Sequence, residues 1–350
     1  MKISDTTENC IKIIHPNTET KLIELNDNAP YLNSISICSN LTKILFMDKK
    51  LSNANFIEII KQFEEVFFEI NHPSNIYSQI QQTLMNLRKK GFQMIKITVI
   101  TNDESFNIKN NQEIDGIVIG SSLTSIKQSS FYECLSLQNV SFENPSSLKK
   151  IEKSAFYFCS SLKQISIPSS VISIGDHSFY WCSSITQISI PSSVTEIGEY
   201  AFSGCSSITQ ITIPSSVTEI GEYAFNGCSS LATISFYSSI TSIKKYTFNG
   251  CSSLTQITIP SNVTLIGSYA FSGCSLLEEI SIPPSVTLIS DCAFNFCISL
   301  KQISIPSSVT LIGENAFSYC NSLKHVSIPS SFQDKLPNLF PNTSINFVLI

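Results

Sequence analysis

The sequence predicts a parallel β-solenoid preceded by a small N-terminal α/β domain, on three observations. A motif of Leu or Ile, two residues, Ile, one residue, Ile and usually Pro begins at Ile114, Leu137, Leu162, Ile185, Ile208, Leu231, Leu254, Leu277, Leu300 and Leu323. Its step is 23 residues, except for one of 25 where Glu143 to Ser147 carries two extra residues. Phenylalanine and cysteine each keep the same step in a register of their own. A fixed period of this size marks a stack of units in which each coil contacts only its neighbours.

Ile208 to Ser230 serves as a typical unit. Ile211, Thr212 and Ile213 alternate as in a half-buried strand. Pro214 removes a backbone donor, and Ser215 and Ser216 make a turn. Val217 and Ile220 point back inward, Gly221 permits a tight bend, and Ala224, Phe225 and Cys228 complete the buried side. One coil cannot bury its apolar edge alone, whereas stacked coils can.

The phenylalanine register runs through Phe131, Phe156, Phe179, Phe202, Phe225, Phe248, Phe271, Phe294, Phe317 and Phe340. At the strand spacing of about 4.8 Å such rings form a continuous spine. Nine of the twelve cysteines form a second column: Cys134, Cys159, Cys182, Cys205, Cys228, Cys251, Cys274, Cys297 and Cys320. Parallel neighbours one rung apart hold their Cβ atoms about 4.8 Å apart, while a disulfide needs about 3.8 Å. A reduced, packed ladder is therefore expected, and with no CxxC pair and no nearby His it is not a zinc site.

The unit CSSITQITIPSSVTEIGEYAF resembles the BspA-like leucine-rich repeat of bacterial surface proteins, a repeat expanded in parasitic protists. The resemblance covers about Ile114 to Pro329 and rests on the Phe, Cys, Pro and Gly positions together. It implies a leucine-rich repeat solenoid whose first strands build a parallel sheet. It also implies protein binding and adhesion.

Residues 1–112 do not repeat. Phe56, Ile59, Ile60, Phe63, Val66, Phe67 and Ile70 fall at helical spacing, which predicts an amphipathic helix over about Asn53 to Ile70. A second helix is expected from Asn75 to Lys90, a strand over Phe92 to Thr101, and at least one strand between Ile35 and Met47. This part is a cap or accessory domain, and the polar segment Asn102 to Gln112 is a connector. Residues 113–330 hold ten repeats, and residues 331–350 a C-terminal cap in which Ile345 to Ile350 adds a last strand. The outer edge of that strand is covered by the preceding loop or paired with a partner, coverage being favoured.

Composition excludes several functions. The balance of 22 basic and 27 acidic residues, net charge −5, offers no basic stripe for nucleic acid. Met1 to Cys10 lacks the apolar region of a secretory leader, and no run of 18 apolar residues predicts a membrane span. These features and the free thiols point to the cytoplasm; the family resemblance points to the cell surface, by an unconventional route. No phosphate-binding glycine loop, HExxH or GxSxG occurs, so no catalytic residue, cofactor or metal is expected. Glu196 and Glu199, with Glu219 and Glu222 one coil later, read as a solvated acidic patch.

Two columns should face outward from the main sheet. One holds Asn139, Gln164, Gln187, Gln210, Thr233, Gln256, Glu279, Gln302 and His325; the other runs Ser141, Ser166, Ser189, Thr212, Ser235, Thr258, Ser281, Ser304 and Ser327. Leu231 to Gly250 departs from the template with Tyr237 for Pro, Lys244 for Gly, Thr247 for Ala and the run Lys244-Lys245-Tyr246; Lys245 lies one coil after Glu222 and is expected to make a modest exposed ion pair with it. Leu265, Leu288 and Leu311 replace the Ser and Glu of earlier coils. The expected function is a non-enzymatic protein-binding or scaffold protein using these surfaces. Self-association through the leucine stripe or the terminal strand is a further expectation. The alternatives are a cell-surface adhesin, or an enzyme or nucleotide-binding unit in residues 1–112 with the repeats as targeting arm.

Overall fold

The computed structural model describes residues 105–237, 240–340 and 345–350, and the backbone of five earlier strands. These are β1 (Cys10–Ile14), β2 (Thr20–Glu24), β3 (Lys43–Met47), β4 (Glu65–Ile70) and β5 (Lys96–Thr101). The chain divides into two compact units. One comprises Met1–Phe106, Asn111–Leu123 and Ser136–Ser146; the other comprises Asn107–Asn110, Thr124–Leu135 and Ser147–Ile350.

In the first unit, β6 (Gly116–Ile119) and the strand Asn139–Phe142 join the five earlier strands in the sheet order β2-β1-β3-β4-β5-β6-(Asn139–Phe142). β1 runs antiparallel to β2 and β3, and the pairs from β3 onward are parallel. β3 and β5 lie within segments expected to form strands. β4 corrects the helix expected over residues 53–70, because its residues pair with β3 on one side and β5 on the other. A central parallel strand carries apolar residues on both faces, so Val66-Phe67-Phe68 satisfies either period over so short a run. The rest of that helix and the one expected over residues 75–90 lie outside the described residues.

The second unit is a parallel β-solenoid with the predicted 23-residue step. Strands such as Gln210–Ile213, Thr233–Phe236, Gln256–Thr258, Glu279–Ser281 and Gln302–Ser304 pair in register, Ile211 beside Ile234 and Ile280 beside Ile303. Two-residue strands form a second ladder, in which Ile174, Ile197 and Ile220 align. In the typical unit Ile211, Ile213, Val217, Ile220, Ala224, Phe225 and Cys228 are all buried. The Pro214 carbonyl accepts the Val217 N–H at 3.1 Å, closing the expected turn.

The phenylalanine rings stack without a gap from Phe131 to Phe340, at centroid separations of 4.9 to 5.6 Å and interplanar angles up to 15°. The cysteines do more than fill space. Each thiol of the 23-residue column from Cys159 to Cys320 donates to the backbone carbonyl of the phenylalanine one coil earlier, at 3.0 to 3.3 Å. All ten described cysteines are free and buried. Burial pushes the Cys228 and Cys274 thiols up to about 12, so both are neutral and chemically quiet near pH 7.

Gly221 acts by close approach more than by turn geometry. A Cβ placed there would crowd the Glu199 backbone nitrogen, so a side chain at this point requires the neighbouring backbone to shift. Its N–H donates to Ile197 at 2.8 Å, as Gly198, Gly267 and Gly313 do to Ile174, Ile243 and Ile289. Lys244 holds this position in the next coil and makes no such bond to Ile220. The second ladder is interrupted at the same place, between Glu219–Ile220 and Ser242–Ile243. Ser290 keeps its bond to Ile266, so a small side chain is accommodated where lysine is not.

The segment Asn102 to Gln112 is more than a polar connector. Ile108 lies one period before Phe131 and is fully buried, and its carbonyl accepts the Cys134 thiol at 3.2 Å. Asn110, with φ 63°, matches the left-handed Glu133 one period later. These residues form the back of a degenerate coil. At the other end Ser330–Lys335 forms a 3-10 helix and Leu336–Leu339 a short α-helix, and Asn346–Leu349 pairs in parallel with His325–Ile328. Val348, Leu349 and Ile350 are 59%, 40% and 52% exposed.

Candidate functional site

The outward columns lie where the alternation of the strands puts them. Gln164, Gln187, Gln210, Thr233, Gln256, Glu279, Gln302 and His325 are exposed, and each flanks a buried Ile or Val. Aligned neighbours are one rung apart, and Gln302 Nε2 donates to Glu279 Oε1 at 3.4 Å. The Ser/Thr column stands two residues on, exposed from Ser141 to Ser304. Together they make a nearly uncharged ribbon of amides and hydroxyls, able to exchange hydrogen bonds along its length.

The leucine stripe occupies the second ladder. Leu265 pairs with Leu288 and Leu288 with Leu311 in parallel register, while Ile266, Ile289 and Ile312 beside them are buried. Leu265 and Leu288 are half-buried, and Leu311 is 52% exposed. The alternation sends the isoleucines to the core and the leucines outward.

The departure at Leu231 to Gly250 resolves into three local contacts. Lys244 Nζ pairs with the Glu219 carboxylate, which corrects the pairing expected between Lys245 and Glu222. Lys245 instead lies over the Tyr246 ring, its nitrogen 5.3 Å from the centroid. Tyr246 belongs to a ladder: Tyr200, Tyr223, Tyr246 and Tyr269 stack at 4.3 to 4.6 Å, and His177 adds a ring against Tyr200 at 4.6 Å. Burial, aided by the neighbouring Tyr223, pushes Tyr200 up to about 12. Tyr132, Tyr157 and Tyr180 form another short stack. Sequence reasoning missed both, although their 23- and 25-residue spacing was in view.

A second missed feature lies two residues after each phenylalanine. This position adopts a left-handed backbone in each coil from Glu133 to Tyr319, and Gly204, Gly227, Gly250 and Gly273 hold it in the middle of the array. Phe158 and Trp181 hold it before them, and Phe296 and Tyr319 after them, with φ between 56° and 60°. A side chain in this region costs about 1–2 kcal/mol. Phe158 stacks on Trp181 at 5.8 Å and Phe296 on Tyr319 at 4.4 Å, and Trp181, Phe296 and Tyr319 are about half exposed. The array thus carries exposed aromatic pairs on either side of a glycine row.

The acidic residues do not gather a metal site. Glu196 and Glu219 are adjacent in register, and Glu219 is held by Lys244. Among the described residues no group of three His, Cys, Asp or Glu is placed to hold a metal ion. Nor is any described helix long and apolar enough to cross a membrane.

The stacked parallel coils and their patterned outer surface define a leucine-rich repeat solenoid. The family description "BspA type Leucine rich repeat region (6 copies)" matches residues 102–231, 172–276 and 241–350, and the chain belongs to that family. The match reaches back to residue 102, into the degenerate coil. Among solved structures, a leucine rich cell surface protein from Faecalibacterium prausnitzii is 28% identical, covering 73% of this chain and 83% of that one, with a TM-score of 0.43. A leucine-rich repeat protein from Eubacterium ventriosum is 21% identical over 79% of this chain and 90% of that one, with a TM-score of 0.46. The leucine rich repeat protein of T. pallidum is 25% identical over 71% of this chain and 99% of that one, with a TM-score of 0.41. No curated protein matches the chain.

Proposed function

We propose that this chain is a non-enzymatic binding protein that presents the outer surface of its solenoid to a protein partner. The observation that carries the reading is the outward amide and hydroxyl ribbon, exposed coil after coil over a closed apolar core. Such a surface suits an extended partner, which can exchange hydrogen bonds with several rungs at once. Gln164, Gln187, Gln210, Gln256, Glu279 and Gln302 form its polar track. Lys244, Lys245 and Tyr246 interrupt the monotony, and Leu265, Leu288 and Leu311 add an apolar strip. Family membership supports binding and gives no support to a cytoplasmic location; a cell-surface adhesin is the reading we favour on location. Surface labelling of intact cells tests that part, and failure to label the protein would remove it.

Photo-crosslinking in the native cell tests the surface itself. A photoreactive residue at Gln256 or Leu288 should capture a discrete protein, and one at Lys335, outside these columns, should not. Absence of an adduct at both Gln256 and Leu288 would contradict the assignment.

A further inference from the structure

The strand Asn346–Leu349 closes the main sheet on one side only. Its Asn346 and Ile350 N–H groups donate to the carbonyls of Lys324 and Ile328 at 2.8 and 3.0 Å. Backbone direction alternates along a strand, so the Phe347 and Leu349 N–H groups point away from the sheet. Edges of this kind are normally blunted by a charge, a proline or a bulge. Ile345 to Ile350 contains no charged side chain, no proline and no glycine. Val348 stands in register with Ser327, so an apolar side chain replaces the hydroxyls of the outward column. The C-terminal part of the array is also the most apolar outside: eight of the twelve large hydrophobic residues exposed among the described ones lie between Leu276 and Ile350.

We propose that this strand is a self-association edge, pairing antiparallel with the same strand of a second copy about a twofold axis. A strand without side-chain charge offers nothing to select a different partner and nothing to repel its own copy. The same Phe347 and Leu349 donors and the carbonyls beside them serve both copies, which makes the edge self-complementary. Val348, Leu349 and Ile350 expose on the order of 300 Å² per copy, against roughly 800 Å² per partner in a standard stable interface. The dimer is therefore weak and concentration-dependent.

Sedimentation velocity on the full chain tests this, over about 1 to 100 µM, where small interfaces dissociate. The mass should rise from one chain towards two. Val348→Lys puts a charge on each side of the joint, and Leu349→Pro removes an outward donor while sparing the bonds to Lys324 and Ile328. Both variants should stay monomeric, with wild-type melting for Val348→Lys, and Ser281→Lys, in the middle of the sheet, should dimerise like the wild type. Should Leu349→Pro fail to fold, Val348→Lys decides alone. A wild-type chain that stays monomeric throughout, a Val348→Lys variant that associates normally, or growth beyond a dimer would each overturn the proposal.

Discussion

The Cys228 thiol donates to the Phe202 carbonyl oxygen at 3.2 Å, and the Cys205 N–H donates to the same oxygen at 3.1 Å. One carbonyl therefore accepts a bond from its own coil and another from the next. Repeated at each phenylalanine from Phe131 to Phe294, the pattern ties the two columns together and satisfies a carbonyl that water cannot reach. Conversion of Cys228 to Ala removes one of the two bonds and leaves a small void, and should destabilise by about 1–2 kcal/mol in urea unfolding.

The thiol column sets a pH dependence. A thiol in the unfolded chain ionises near pH ~8.5, whereas burial holds Cys228 and Cys274 up to about 12. With the folded value raised, their contribution is complete below the unfolded value and is lost as pH rises through the folded one. Melting temperature should fall steadily between about pH 9 and 12, each such thiol costing about 1.4 kcal/mol per pH unit. In the native protein near pH 7 the column should resist thiol reagents, and in denaturant without reductant it should react fully.

The aromatic spine predicts a larger penalty. Phe225 is fully buried and stacks on Phe202 and Phe248 at 5.5 and 5.6 Å. Its replacement by Ala should cost about 3–5 kcal/mol, measured by denaturant unfolding.

Two glycines of one coil separate two kinds of constraint. Gly221→Ala brings a Cβ against the Glu199 backbone, and should destabilise by about 1–3 kcal/mol through a forced shift. Gly227 has φ 72°, and a Cβ there would meet the Gly204 backbone only at an ordinary contact distance of 3.8 Å, so Gly227→Ala should cost only about 1 kcal/mol of backbone strain. Calorimetry of the two variants should rank them in that order.

The leucine stripe gives a surface prediction. Replacing Leu265, Leu288 and Leu311 together with Ser should cost far less than the ~2–5 kcal/mol per site of a buried leucine, because all three side chains keep part of their surface in water. Binding should fall while melting changes little. A loss of stability on the buried-leucine scale would assign the stripe to the core.

The registers that obey the period strictly were legible in the sequence, and those that obey it in part were not. Phe and Cys recur without interruption, so their burial and stacking could be stated from spacing alone. Tyr200, Tyr223, Tyr246 and Tyr269 keep the same step but give way to His177 and Cys292 at the ends, which hid the ladder among variable positions. Ile108 and Asn111 stand where later coils have Phe and Cys, so the degenerate coil looked like a linker. β4 was misread because a short run of apolar residues satisfies both helical and strand periods. The glycine row and its flanking aromatics depend on backbone dihedrals, which residue type does not reveal when Trp181 and Gly204 adopt the same conformation.

The central claim is that a 23-residue register creates the continuous surface, and removal of one coil tests it directly. Deleting Ile185 to Ser207 takes out one period and brings Phe179 and Phe225 to adjacent rungs. The account predicts a folded protein with one cooperative transition and a thiol column still resistant to reagents at neutral pH. Deleting half that length at the same site should move every following side chain off its column and abolish both properties. If the full-coil deletion unfolds the chain, or the half-coil deletion leaves it intact, the account is wrong.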